Sequence, residues 1–254
     1  MLLTVDIGNT QTSIGLWNAD ELEACWAVTT RVNDSADEVH ASLAALFALK
    51  NMTLDMCSDA CIASVVPGLT ATWKQVAMRV SGKEPIIVSS KIETGLKIIF
   101  DNPTEIGADR IADAVAAINE YGAPVVVVDL GTATNIEVIN KDGAFCGGII
   151  APGLQTSTAA LFTHAARLPQ IDLVQPKKVI GSNTIDAIRS GLIWGEVDRI
   201  DGLVHRIFDE LGYEACVVAT GGLAGYVCEH SKTITQQQPR LTLKGLRLIY
   251  DMNR

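Results

Sequence analysis

The chain has 254 residues, 48% of them hydrophobic and 19% charged. That is enough material for one large domain or two small ones, each with its own buried core. Lys and Arg number 20 against 29 Asp and Glu, a formal net charge of −9. A nucleic-acid partner requires a basic face to displace counterions, and an anionic membrane surface attracts polybasic segments; this charge balance argues against both. No apolar run reaches the ~18–20 residues of a membrane span. The start, Met1-Leu2-Leu3-Thr4-Val5-Asp6, lacks the basic stretch of a signal peptide. The expectation is a cytoplasmic protein. Its six cysteines read as small buried apolar residues, because no second pair at ligand spacing and no nearby His completes a zinc site.

In chain order, Leu2–Val5 reads as a buried strand that runs into Asp6-Ile7-Gly8-Asn9-Thr10, and Gln11–Trp17 as the strand returning from that turn. A third strand is predicted over Glu23–Thr30. A helix follows over Ala36–Lys50, with Val39, Leu43, Leu46 and Phe47 on one face. Strand Ala60–Val66, helix Thr70–Val80, strand Glu84–Ser89 and helix Ala108–Tyr121 complete the first half. The second half opens in the same way. Val125–Val128 runs into Asp129-Leu130-Gly131-Thr132-Ala133, then Thr134–Ile139 resumes, and a third strand covers Ala144–Ile150. Helices are predicted over Leu154–Ala166 and Ile185–Leu211, then strand Ala215–Ala219, a polar loop at Gln236–Pro239 and a closing helix at Leu243–Tyr250. Val5, Asp6 and Gly8 align with Val128, Asp129 and Gly131 at the head of each half, which suggests a duplicated unit. The predicted division lies near Gly122-Ala123-Pro124, giving domains 1–122 and 123–254.

A strand ending in Asp, followed by a turn of Gly, Asn and Thr, suits a nucleotide phosphate. Glycine lets the backbone approach a ligand closely, and successive amides in such a turn can face an anion. The hydroxyls of Thr10 and Thr12 could reach phosphate oxygens, and Asp6 could hold Mg²⁺ directly or through water. One copy is equally an ordinary hairpin; two copies, with Asp6 and Asp129 expected to face each other across a cleft between the halves, favour a phosphate–metal centre. No G-x-x-x-x-G-K-[ST] or post-strand G-x-G-x-x-G is present, so any ATP binding falls to these hairpins. Gly107-Ala108-Asp109-Arg110 opens a helix; Asp109 could serve as a general base and Arg110 could bind an anionic group. Gly147-Gly148-Ile149-Ile150-Ala151-Pro152-Gly153, Asn183-Thr184 and Thr220-Gly221-Gly222 each carry an ordinary structural reading as well: a strand exit, a helix cap and a turn after a strand. Paired Gly at 221 and 222 could admit a flat adenine ring.

Taken together and in this order, these segments resemble the type III pantothenate kinases, which open coenzyme A biosynthesis. The resemblance implies an α/β fold of two ribonuclease-H-like domains in tandem, the superfold of acetate and sugar kinases, heat-shock ATPases and actin, with an ATP cleft between the domains. It implies that Asp6, Ile7, Gly8, Asn9, Thr10, Gln11, Thr12 and Ser13 bind ATP phosphates and that Thr132 contacts ATP. It implies pantothenate binding by Phe100, Gly107, Ala108, Asp109, Arg110 and Thr184, with Asp109 as proton acceptor. Asp129 would be the ligand of a monovalent cation, K⁺ or NH₄⁺, and Mg²⁺ would accompany ATP. The family is dimeric, so a homodimer is expected, with the pantothenate pocket near the subunit interface. Two residues depart from the family pattern: Asn135 where Thr is common, and Phe100 where Tyr is frequent. A non-catalytic regulator that retains the fold is the alternative of another class; a kinase for another small alcohol or a filament protein of this superfold is disfavoured by the short chain.

Overall fold

The computed structural model describes residues 1–164 and 169–254. Its elements in chain order are β1 (Leu2–Ile7), β2 (Gln11–Asn18), β3 (Glu21–Thr29), α1 (Ala36–Ala48), β4 (Asp59–Ser64), α2 (Pro67–Ser81), β5 (Ile86–Ile87), β6 (Lys97–Ile98) and α3 (Ala108–Tyr121). Then come β7 (Val125–Leu130), β8 (Ala133–Ile139), β9 (Ala144–Pro152), α4 (Leu154–His164), α5 (Thr184–Leu211), β10 (Cys216–Thr220), α6 (Gly225–Cys228), β11 (Gln236–Gln237) and α7 (Leu241–Met252). They form two compact units: Met1–Asn119 together with Leu241–Arg254, and Glu120–Arg240.

In the first unit the sheet order is β3-β2-β1-β4-β5, antiparallel at β1–β2 and β2–β3 and parallel at β1–β4 and β4–β5. β1 is central and nearly all of it is buried, which is why its sequence is a continuous apolar run rather than an alternation. β2 has a polar tip and a buried body. Helix α1 starts at a capping box in which Ser35 and Glu38 satisfy each other's backbone amides. It buries Val39, Leu43 and Phe47. Helix α2 begins at Pro67, three residues before the expected start, because proline is favoured at the first helical position, where its missing N–H is not needed. β5 is shorter than the predicted Glu84–Ser89. It is an edge strand, and Glu84 and Lys83 leave it to pair with Lys74 and Asp59. Cys57 and Cys61 are buried in this unit, and burial pushes the Cys57 thiol up to about 11 and Cys61 up as well.

The last helix, α7, packs on β1 and β4, burying Leu241, Leu243, Leu246 and Ile249. The sequence reading counts this segment with the C-terminal half; the structure groups it with the first unit. Its amphipathic stripe identifies a covered helix but carries no information on which sheet covers it. Gly245 is the point of closest approach: a β-carbon there would overlap the carbonyl oxygen of Ala112 in α3. On its solvent side Arg247 pairs with Asp20 in the β2–β3 turn and lies 6.0 Å from the Trp17 ring centroid.

In the second unit the order is β11-β10-β7-β8-β9, with β7–β10 and β10–β11 parallel and β7–β8 and β8–β9 antiparallel. β7 repeats the burial pattern of β1 residue for residue. Gln236–Gln237, expected as loop, pairs with Val218 and Ala219 of β10; two exposed glutamines give no apolar signal by which a strand could be recognised. The predicted end of the Leu154–Ala166 helix, residues 165 and 166, lies outside the described residues. Helix α5 packs Val197, Ile200, Val204 and Ile207 against the apolar side chains of the sheet. Asp201 on α5 knits the segment after α6 by accepting from Ser231 Oγ (2.6 Å), Lys232 N (2.9 Å) and Thr233 Oγ1 (2.7 Å). Burial opposes the charged form of Asp201, but these hydrogen bonds outweigh it and hold the carboxyl below its ordinary range. Among the described residues no helix is long and apolar enough to cross a membrane.

Candidate active site

The turn after β1 is closed by Gly8 N donating to Gln11 O at 3.0 Å, and a β-carbon on Gly8 would sit 2.9 Å from that oxygen. β2 then alternates. Gln11 and Ser13 lie on the more open face, with Gln11 Nε2 3.5 Å from Ser13 Oγ, whereas Thr12 is buried with Ile14 and Leu16. The sequence reading offers the Thr12 hydroxyl to phosphate. In the structure it is 2.9 Å from Thr30 Oγ1, and Thr30 Oγ1 donates to Gly8 O at 2.8 Å. Thr30 N also donates to Thr10 O at 2.9 Å. Thr30 therefore braces the hairpin from beneath, a role that a lone Thr at a strand end does not announce in sequence. Asp6, half-buried at the end of β1, is in register with Ser13 on one side and Ala63 on the other.

The helix-opening acid belongs to the same unit. Asn102 caps the turn before α3 by accepting from Thr104 N and Thr104 Oγ1, and Ile106 is buried. Asp109 lies in the first turn of α3, half-buried, with Oδ1 accepting from Arg110 N at 2.8 Å. Burial is the largest influence and raises the Asp109 carboxyl above its ordinary value, with the Arg110 amide and guanidinium partly countering it. Gly107 is small of necessity: a β-carbon there would collide with Asp109 Oδ1 and touch Val65 Cγ1 at 3.5 Å. Val65 in turn donates its N–H to Ile7 O at 3.0 Å. The end of β1, the exit of β4 and the start of α3 thus adjoin through Val65. Arg110 is buried and Phe100 half-buried. Asp113, one helical turn after Asp109, is buried as well; the four-residue spacing of the two acids places them on one face of the helix.

In the second unit Gly131 N donates to Ala133 O at 3.0 Å, closing a turn like the first. The Thr132 carbonyl accepts from Gly153 N at 3.1 Å and from Thr156 Oγ1 at 2.6 Å. A β-carbon on Gly153 would sit 2.5 Å from Gly131 O and 2.6 Å from Thr132 O, so the Pro152-Gly153 exit is glycine because it lies against the hairpin. Gly221 has φ +89°, a left-handed conformation that favours glycine, and its absent β-carbon would meet Asp129 Oδ1 and Leu130 O, both at 2.5 Å. Gly221 is therefore glycine because its backbone lies against the end of β7, beside the Asp129 carboxylate and the Leu130 carbonyl. Their chemistry fits a hard monovalent cation, which takes oxygen ligands. Among the described residues no cluster of three or more His, Cys, Asp or Glu forms a ready-made metal cage. That is compatible with Mg²⁺ arriving on a nucleotide, since this ion keeps several waters and uses one or two carboxylates beside substrate phosphates. A cavity of about 810 Å³ next to α4 is lined by Thr158, Phe162, Leu173, Leu223 and Tyr226.

Thr184 is the first residue of α5 and is exposed, with Asn183 as the cap accepting from Asp186 N at 2.9 Å. It precedes Glu196, which touches Thr134, by twelve positions; at about 1.5 Å per residue that is ~18 Å along the helix. Within this unit, therefore, Thr132 and Asp129 lie together with Gly153 and Gly221, and Thr184 stands apart from them.

The family model described as type III pantothenate kinase matches residues 2–206. The chain belongs to the type III pantothenate kinase family. A type III pantothenate kinase of Acidobacterium capsulatum is 43% identical over 260 residues, covering 100% of this chain and 96% of the relative. Among solved structures, component A of (R)-2-hydroxyglutaryl-CoA dehydratase from Acidaminococcus fermentans superposes with a TM-score of 0.56 at 14% identity, covering 98% of this chain and 96% of that one. The ROK hexokinase of Thermus thermophilus gives a TM-score of 0.50 at 12% identity, covering 98% and 97%. At such identities these two bear on the fold alone, which is the tandem ribonuclease-H-like superfold that the family resemblance implied.

Proposed function

We propose that this member of the type III pantothenate kinase family phosphorylates the primary alcohol of pantothenate with ATP, giving 4′-phosphopantothenate and ADP, the first step of coenzyme A biosynthesis. The observation that carries the reading is the partly buried start of α3. There desolvation raises the Asp109 carboxyl above its ordinary value, and Gly107 adjoins the end of β1 through Val65, in a chain that a family member covers along its whole length. The alcohol oxygen attacks the γ-phosphorus, the bond from phosphorus to the bridging oxygen of ADP breaks, and the proton leaves to Asp109. Because the transition state is loose and spreads charge over the equatorial oxygens, positioning and electrostatics supply most of the acceleration.

Each assigned residue has a part in this scheme. Asp6, Ile7, Gly8, Asn9, Thr10, Gln11 and Ser13 present main chain and short side chains to the phosphates. Thr12, whose hydroxyl bonds Thr30, contributes its backbone and the rigidity of the turn. Thr132 adds an ATP contact from the second hairpin. Phe100, Gly107, Ala108, Arg110 and Thr184 bind pantothenate, with Arg110 as the cation for its carboxylate. Asp129 holds K⁺ or NH₄⁺, its carboxylate lying at the end of β7 beside the second hairpin. When bound, Mg²⁺ on ATP and this monovalent ion would neutralise phosphate charge. The protein is expected to act as a cytoplasmic homodimer without nucleic-acid or membrane partners.

The deciding experiment is a coupled ADP-release assay with pantothenate, with and without K⁺ or NH₄⁺. Pantothenate-dependent ADP release supports the reading; its absence under all cation conditions, in protein that binds ATP, overturns it. Two further results are expected in the same assay. In a pH series, kcat/KM falls on acidification through an apparent pKa above the ordinary 3.8 of Asp, because a protonated Asp109 cannot accept the alcohol proton. A plateau down to pH 4 would contradict the base role. Asp129→Ala abolishes the response to K⁺ or moves it to much higher concentration; an unchanged cation titration would remove the assignment.

A further inference from the structure

Behind the second hairpin lies a charged pair that the roles above do not use. Glu196 of α5 is only 4% exposed and accepts from Thr134 Oγ1 at 2.6 Å; Thr134 itself is 1% exposed. One helical turn on, Arg199 forms an ion pair with the other Glu196 oxygen. The same Arg199 Nη2 donates to Pro152 O at 2.8 Å and lies 3.4 Å from Thr134 Oγ1.

Both arms of this pair end on Thr132. The Glu196 arm holds Thr134, two residues along β8 from it. The Arg199 arm holds the carbonyl of Pro152, and the next residue, Gly153, donates its N–H to Thr132 O. Stability gives a poor reason for the pair, because burying the Glu196 charge costs much of what its attraction to the partly exposed Arg199 returns. What an ion pair with directed hydrogen bonds provides is a fixed distance. The Glu196 carboxylate bridges Thr134 and Arg199 with its two oxygens, and Arg199 Nη2 reaches on to Pro152 O, so β8 and the end of β9 are tied to one stretch of α5.

We infer that Glu196 and Arg199 are positioning residues that set Thr132 against the nucleotide, acting through Thr134 and through Pro152–Gly153. The inference rests on the proposed ATP contact of Thr132. A hydrogen-bonded charge lost from such a network weakens what depends on it by roughly tenfold or more.

The test uses the full chain and two separate readouts: calorimetric titration with a non-hydrolysable ATP analogue in the absence of pantothenate, and steady-state KM values for both substrates. Glu196→Ala is expected to weaken analogue binding and raise the ATP KM by roughly tenfold or more, with the pantothenate KM within about twofold of wild type. Glu196→Gln keeps an oxygen for Thr134 but not the charge for Arg199, and is expected to recover part of the loss. Should Glu196→Ala fold poorly, Glu196→Gln and Arg199→Lys carry the test, since both retain size. Analogue binding equal to wild type in folded Glu196→Gln and Arg199→Lys variants would overturn the inference. So would KM values for both substrates rising together with a lowered melting temperature, which marks a merely structural pair. A wild type that binds the analogue but never phosphorylates pantothenate would sink the proposed function while leaving this binding test intact.

Discussion

Asp109→Asn is expected to lower kcat with pantothenate by about 10²–10⁴-fold, the usual worth of a general base, while leaving ATP binding unchanged. The substitution keeps the shape of the side chain, and the amide oxygen can still accept from Arg110 N, as Oδ1 does at 2.8 Å. What it removes is the ability to take a proton. Stability moves the other way. A carboxyl whose folded pKa is raised makes the folded state bind protons more readily than the unfolded state. Its ionised form therefore costs stability once the pH exceeds the folded value. At pH 7 the asparagine variant should melt no lower than wild type. A variant that turns over normally would remove Asp109 from the chemistry; one that melts well below wild type would show that the carboxylate is instead a structural anchor. Calorimetry and the coupled assay on one preparation separate these results.

The second large effect is on folding. In an exposed helix, Gly→Ala adds up to about 1 kcal/mol of helix stability. At Gly245 the added methyl would overlap the Ala112 carbonyl, and a helix backbone cannot step aside as a flexible side chain could. Overpacking typically costs ~1–3 kcal/mol. The upper part of that range should prevail here, because α7 has to lift from α3 while its buried leucines lose their contact with the sheet. With ~2–4 °C of melting temperature per kcal/mol for chains of this size, Gly245→Ala should melt several degrees below wild type. Gly202→Ala is the matched control: it lies in α5 with nothing within 4 Å of the new methyl and should be neutral or slightly stabilising. Equal melting temperatures for the two variants would refute the close α3–α7 packing.

What could be foreseen from sequence follows from the range over which each feature is encoded. β1 and β7 were visible because a strand covered on both faces needs an unbroken apolar run. α3 has the predicted bounds, Ala108–Tyr121, because its apolar face is encoded locally. The first Asp-x-Gly turn is recognisable because close backbone approach dictates glycine at Gly8. Features that depend on a distant partner were not visible. Thr30 supports Gly8 from 22 residues away, and Glu196 meets Thr134 from 62 residues away; neither residue differs in local context from an ordinary surface Thr or helical Glu. Thr12 was assigned by type rather than by alternation, although its parity with Ile14 and Leu16 placed it on the buried face. The two-residue strands β6 and β11 are too short to carry any periodicity.

The first unit is interrupted: its sheet is made early, and the helix that covers β1 and β4 is encoded only after Glu120–Arg240. On the ribosome the end of β5 and the start of α7 are separated by the time taken to translate about 150 residues, roughly 8–30 s at ~5–20 residues per second. During that interval the apolar surface destined for Leu243, Leu246 and Ile249 has no cover from its own chain. The intervening unit, continuous from Glu120 to Arg240, can finish folding first, so the segment encoded second should be the first to become native.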